Sequence, residues 1–306
     1  MIGWRKPEAI EKPLSSLERY GIEFHQAEVQ TIDPERHHVI TDRATIAYDY
    51  LVVALGAELV TEVISGLSSI AQTFYTHEGA IKLNQTISTF SQGNIAIIIS
   101  GLPYKFPPAP YEATFLLESY FSKRGSTDTT IKIFHPESEP IHFAGRAGSQ
   151  SIQNLLMQCK IELYPAHKLA SINQAENQII FGNSEKSRFD LLIVIPAHCP
   201  PNIVSTSKLA NEEGWISVDE KTMRTRYQNI YAVGDVAETL TQSKLRLPKS
   251  GVFAHNQAEI VAFNIAQEIQ NTKLHQEFTG AGFYFFETGN SRAGYIHGNF
   301  LTKSCN

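Results

Sequence analysis

Five continuous apolar runs, at residues 48–56, 94–101, 131–135, 190–196 and 229–234, constrain this 306-residue chain more than any other feature. Runs without polar alternation suit strands buried on both faces, as in parallel sheets covered by helices. Helical patterns fall between and after them. Within 149–160, Ile152, Leu155, Leu156 and Cys159 lie at i, i+3, i+4 and i+7, which predicts a helix with Cys159 toward the core. After Pro107-Pro-Ala-Pro, residues Ala113, Leu116, Leu117, Tyr120 and Phe121 keep helical spacing, and proline is tolerated in a first helical turn. A third helix, over 253–269, places Ala258, Val261, Ile265 and Ile269 along one stripe. Residues 21–48 alternate instead and carry the turn signal Asp33-Pro-Glu, which predicts a small antiparallel excursion with His37 and His38 on a hairpin. The chain reads as a layered α/β protein.

At 42% hydrophobic the chain can bury a full core, and its length suggests two packed domains. A net charge of −5, with no lysine or arginine run, leaves no footprint for nucleic acid or an anionic membrane and favours a small-molecule partner. No apolar run approaches a membrane span, and the opening residues lack a signal-peptide core, so a cytoplasmic location is expected. Cys159, Cys199 and Cys305 are too few and scattered for a disulfide framework or zinc site, and no metal is expected. No Gly-x-Ser-x-Gly elbow or His-Glu-x-x-His supports a hydrolase.

Two strand ends carry the functional argument. The run 48–56 ends at Gly56, and the run 229–234 ends at Gly234, followed by Asp235. Glycine there permits close backbone approach, and a carboxylate can accept hydrogen bonds from sugar-type hydroxyls. Further on, Leu247-Pro-Lys-Ser-Gly-Val-Phe opens the third helix, whose amino end presents free backbone amides to an electron-rich ring edge. In this order the segments resemble the FAD-dependent pyridine nucleotide-disulfide oxidoreductases. The stretch Gly101-Leu-Pro-Tyr-Lys-Phe-Pro-Pro-Ala-Pro-Tyr-Glu112 is similar to the Gly-x-Pro-x-Lys-Cys-Pro-x-Ala-Pro-x-Glu segment of the sulfide:quinone oxidoreductase and flavocytochrome c sulfide dehydrogenase branch.

That resemblance implies two dinucleotide-binding, Rossmann-like domains, the first discontinuous and missing its N-terminal βα unit. The boundaries it suggests are 1–62 with 202–275 for the FAD-type domain, 63–201 for the second domain, and 276–306 for a truncated C-terminal segment. It assigns cofactor contact to Gly56, Gly234, Asp235, Lys249, Gly251, Val252 and Phe253. By their residue type alone, Lys249, Lys105 and Arg5 read as solvated or loop-pairing charges rather than ring contacts.

The departures from the pattern are as informative as the matches. No Gly-x-Gly-x-x-Gly turn precedes Gly56, none follows the run 94–101, and Gly280-Ala-Gly282 leads into Phe283-Tyr-Phe, which reads as a turn. FAD is therefore expected to be held weakly or not at all. The two family cysteines beside the flavin fall on Phe106 and Tyr284, neither of which can become a thiolate. Cys199, beside His198, is the remaining candidate for an activated thiol. The expectation is an FAD-dependent oxidoreductase without the usual cysteine-based sulfide chemistry and with an unknown redox substrate. Its rival is a non-catalytic remnant or split-enzyme fragment that pairs with a partner chain or with itself.

Overall fold

The computed structural model describes residues 1–60, 67–126, 128–242 and 244–302, with 304 and 305 described by their backbone alone. The expected boundary at 62/63 and the side chain of Cys305 lie outside the described residues. Two 3-10 turns, Pro7–Ile10 and Leu14–Tyr20, precede a three-stranded antiparallel sheet of β1 (Val29–Asp33), β2 (His38–Thr41) and β3 (Thr45–Ala47). This is the excursion expected over 21–48. Its first turn is set by Asp33, whose Oδ1 accepts the backbone N–H groups of Glu35 and Arg36 at 3.1 Å each. His37 takes a left-handed conformation at that turn and stacks on Tyr48.

Strand β4 (Leu51–Val53) follows, then β5 (Glu58–Leu59), α1 (Leu67–Ile70) and α2 (His77–Thr89). A four-stranded parallel sheet is then built from β6 (Gly93–Ile99), α3 (Ala109–Lys123), β7 (Thr129–Phe134), α4 (Gly145–Gln158) and β8 (Glu162–Tyr164). The chain leaves it for a meander of β9 (Leu169–Asn173), β10 (Gln178–Phe181) and β11 (Lys186–Arg188). It returns as β12 (Leu191–Ile195), giving the order β12-β6-β7-β8. The consecutive isoleucines explain why this sheet is central. Ile95, Ile97 and Ile99 enter one core cluster and Ala96 and Ile98 another, so β6 is buried on both faces.

Next come β13 (His198–Cys199), antiparallel to β5, then α5 (Asn202–Ser205) and β14 (Ile216–Ser217). Strand β15 (Ile230–Ala232) pairs in parallel with β4, with Ala232 opposite Val53, and β16 (Ala237–Glu238) pairs with β14. The runs ending at Gly56 and Gly234 thus emerge at the same edge. Helix α6 (Gly251–Ile269) leads to the hairpin of β17 (Ala281–Glu287) and β18 (Ala293–Asn299), to which β19 (Ser304–Cys305) adds. One cluster joins Ile97 and Phe115 to Tyr231, Phe253 and Tyr284, so the β6 sheet, the β4–β15 pair and the hairpin share a core.

Three sequence expectations need correction. The buried face of α6 is Phe253, Gln257, Val261 and Asn264, whereas Ala258 is exposed and Ile269 is 63% exposed. A search for apolar period passes over buried amides, yet Gln257 Oε1 accepts the Gly234 N–H at 2.8 Å and Asn264 exchanges two bonds with the backbone of Gln276. Helix α4 begins earlier than 149, at Gly145, while Cys159, half-buried at its C-cap, packs against the core as expected. Gly280 does make a turn (φ 74°), but Gly282 lies within β17, where a Cβ would stand 2.5 Å from the Phe253 ring. Among the described residues no helix is long and apolar enough to cross a membrane.

Candidate functional site

Three segments converge beyond the ends of β6 and β15. The 101–108 loop is pinned on both sides: Phe106 N–H donates to the Lys249 carbonyl at 2.8 Å, and His198 N–H donates to that of Pro103 at 2.7 Å. The Tyr75 hydroxyl reaches the Lys105 carbonyl at 2.9 Å. Prolines 107, 108 and 110 then start α3, with Glu112 in its first turn. The Glu112 carboxylate accepts the Glu287 N–H at 2.8 Å and so ties α3 to the hairpin that carries Tyr284. Burial, then Glu287, holds the Glu112 carboxyl above its ordinary value despite that bond.

Within this frame the two positions that the resemblance sets beside a flavin come into contact. The rings of Phe106 and Tyr284 lie 5.9 Å apart between centroids. Tyr284 is fully buried and also meets Phe143, Phe300 and Phe253 at 5.4, 5.6 and 6.1 Å. Such tilted and edge-on pairs add ~0.5–1.5 kcal/mol each beyond area burial. The cluster is aromatic and without sulfur.

Gly234 takes φ +73°, and a Cβ there would stand 3.2 Å from that of Ala254, so the strand end and the first turn of α6 approach closely because no side chain intervenes. Gly56 also has positive φ (69°), with nothing within 4 Å of its Cβ position. Asp235 is half-buried, and no hydrogen bond among the described residues engages its carboxylate. Burial raises its pKa against the pull of Lys249 and Lys105. Lys249 is not a solvated charge. Its ammonium donates to the Asp235 carbonyl and lies 3.5 Å from the centroid of the buried Trp215 ring, and burial brings its pKa down to about 8.

Ser250 precedes α6 without capping it. Its hydroxyl is buried and has no hydrogen-bond partner. The N–H groups of Gly251, Val252 and Phe253 begin the helix and have no partner within it. Gly251 is exposed and Phe253 buried, so the helix start is open on one side and packed on the other.

Cys199 does not join this cluster. Burial, then Glu58 across the β5 pairing, raises its thiol pKa, opposite to what a nucleophile requires. His198 is buried and neutral, its pKa brought down to about 4 by burial, and its Nδ1 engages the Pro196 carbonyl at 3.0 Å. Neighbouring residues on a strand point to opposite faces, which separates the imidazole from the thiol. Among the described residues no group of His, Cys, Asp and Glu could hold a metal ion. Sequence reasoning missed Trp215, Ser250, Gln257 and Phe143. Only Ser250, at the foot of a predicted helix, carried a local signal.

The fold and site define a class: an α/β protein with glycines at the ends of paired parallel strands and an open helix start beside them. The family model for pyridine nucleotide-disulphide oxidoreductases matches residues 117–258. The chain is 28% identical over 288 residues to the sulfide-quinone reductase of Aquifex aeolicus, covering 88% of this chain and 66% of that protein. It is 25% identical over 228 residues to the mitochondrial sulfide:quinone oxidoreductase of Mus musculus, covering 70% and 50%. The solved Aquifex aeolicus sulfide:quinone oxidoreductase superimposes with a TM-score of 0.85 at 24% identity, over 98% of this chain and 73% of that one. The chain is thus similar to the pyridine nucleotide-disulphide oxidoreductases, and among them to sulfide:quinone oxidoreductases, whose fold it shares. It spans about half to two-thirds of the length of these curated relatives.

Proposed function

We propose that the chain is an FAD-dependent oxidoreductase related to sulfide dehydrogenases that works without the cysteine pair of that branch. The observation that carries this reading is the contact of Phe106 with Tyr284, on the loop bonded to Lys249 and on the hairpin packed against Phe253. The groups around it fit a flavin. Asp235 offers a carboxylate for ribityl hydroxyls, Gly56 leaves open space at the paired strand end, and Gly251, Val252 and Phe253 present amides to the pyrimidine edge. The unpartnered Ser250 hydroxyl and the Lys249 ammonium stand beside that edge. When bound, FAD supplies two-electron transfer with a redox substrate.

The residues of this chain do the rest. Phe106 and Tyr284 exclude water from one side, Lys249 holds positive charge near the ring, and Gly234 lets α6 approach. We also propose the two-unit division, 1–62 with 202–275 and 63–201, with 276–306 completing the hairpin region.

The test is anaerobic mixing of FAD-reconstituted protein with sulfide, comparing the natural chain with Phe106→Cys/Tyr284→Cys. Bleaching in the double variant alone supports the reading, and rapid bleaching of the natural chain refutes the thiol-free site. A second reading, a fragment that pairs with a partner chain, is favoured by Val52 and Leu55, 42% and 44% exposed on and just after β4. A colourless protein that co-purifies with another chain supports it.

A further inference from the structure

Beside the aromatic cluster lies a cavity of about 460 Å³, bounded by the 102–107 loop, the turn around 141–143 and the 244–249 segment. Its walls are mainly apolar, Leu102, Pro103, Phe143, Leu247 and Pro248 among them. Cavities of this size hold small organic ligands, with a few polar groups fixing orientation. Here the polar groups in the wall include a hydrogen-bonded pair: Glu137 Oε1 lies 3.1 Å from His142 Nδ1.

The pair is braced from behind. His135, directly after β7, is fully buried, and its Nδ1 accepts the Glu137 N–H at 3.0 Å. In the neutral ring the proton is therefore on Nε2, which lies 3.6 Å from Glu137 Oε2 and has no hydrogen-bond partner. Tyr111 stacks on the same imidazole. The turn that carries His142 is strained, since Ile141, a β-branched residue, takes φ +41°. That conformation seats Phe143 against Tyr284 and His142 against Glu137. Strain of this kind persists where packing enforces it and clusters at functional sites.

We propose that this cavity binds a small, mostly apolar compound bearing one weakly acidic oxygen, a phenol or enol, and that His142 and Glu137 hold and exchange its proton. The neutral imidazole takes the proton from the ligand O–H, leaving the oxyanion against the imidazolium, while Glu137 holds the other ring nitrogen. The charges around the pair agree with this role. Glu137 and Glu139 on the same loop favour the imidazolium. His135 is kept neutral by burial. Across the cavity Arg246 is occupied by Glu213 and Glu238, Lys249 by the Asp235 carbonyl and Trp215, and Lys244 is exposed. The bond to Glu137 raises the His142 pKa. Burial pushes Glu137 up, but the imidazoles outweigh it and leave its pKa lowered.

The test uses the chain as purified and 4-nitrophenol, whose phenol and phenolate absorb at different wavelengths. It needs no flavin, so its outcome is separate from that of the oxidoreductase proposal. The natural chain should bind the probe saturably and lower its ionisation midpoint by about one pH unit, a tenfold gain in bound phenolate at a fixed pH below the midpoint. His142→Gln should keep binding and lose that shift. Leu245→Trp, which fills the cavity from its exposed rim, should abolish binding while the NMR titration of His142 stays in place. Absence of saturable binding by the folded natural chain, an unchanged shift in His142→Gln, or undiminished binding by Leu245→Trp each overturns the proposal.

Discussion

Gly234 and Gly56 share a backbone conformation but not an environment, which makes alanine at each a controlled comparison. Both have φ near +70°, so either substitution carries the left-handed penalty, ~1–2 kcal/mol. At Gly56 nothing lies within 4 Å of the new methyl group, and the loss should stop there. At Gly234 the methyl would stand 3.2 Å from the Ala254 Cβ, closer than ordinary contact. Crowding of that kind costs ~1–3 kcal/mol more, because either β15 or the first turn of α6 must shift. The same shift disturbs the bond from Gly234 N–H to the buried Gln257. Urea unfolding followed by circular dichroism should therefore show Gly234→Ala losing roughly twice what Gly56→Ala loses. Ala254→Gly in the Gly234→Ala background should recover the crowding part, against a helix-propensity cost of ~1 kcal/mol. Equal losses for the two glycines, or strict additivity of the 234 and 254 changes, would refute the close approach as the reason for glycine at 234.

Other outcomes follow from the site. Reductive methylation of the folded chain with carbon-13 formaldehyde should give one lysine resonance, absent in Lys249→Met, titrating near the value of about 8 set by burial. Glu112→Ala should speed hydrogen exchange at the Glu287 amide by at least about tenfold, since a half-buried donor loses a partner worth ~1–3 kcal/mol. Glu112→Gln, which keeps an acceptor, should not. For the Glu137–His142 pair the pH window follows from two opposite shifts. The raised His142 contributes stability below its unfolded value of about 6.5 and loses it as pH rises through the folded pKa. The lowered Glu137 contributes above about 4.3 and loses it on acidification through its folded pKa. Glu137→Gln should lower the thermal midpoint most between those values and progressively less as pH rises through the raised His142 pKa, as read by scanning calorimetry across pH.

The central sheet was legible because burial on both faces leaves its mark directly in the isoleucines of β6 and the apolar run of β12. The strand ends at Gly56 and Gly234 were legible for a related reason, an apolar run that stops at the residue with the freest backbone. Phe106 and Tyr284 were singled out only by family resemblance, and their contact was not legible, since no spacing rule relates residues so far apart in sequence. What stayed hidden was polar and long-range. Gln257 and Asn264 face inward on α6 because they satisfy backbone groups of other segments, which an apolar period cannot register. Lys249 has the sequence of a loop charge and the surroundings of a buried one, and only the fold brings Trp215 beneath it. Cys199 was the opposite case, a histidine neighbour in sequence that strand geometry separates from the thiol.

The shared core has a bearing on how any small molecule reaches the interior. Tyr231, Phe253 and Tyr284 interlock with residues of the β6 sheet in one cluster, so swinging one sheet away from the other would tear that packing along its length. Leu102 and Leu245, 48% and 44% exposed, stand at the edge of the cavity, where exposed side chains change rotamer on the picosecond-to-nanosecond scale without disturbing that packing.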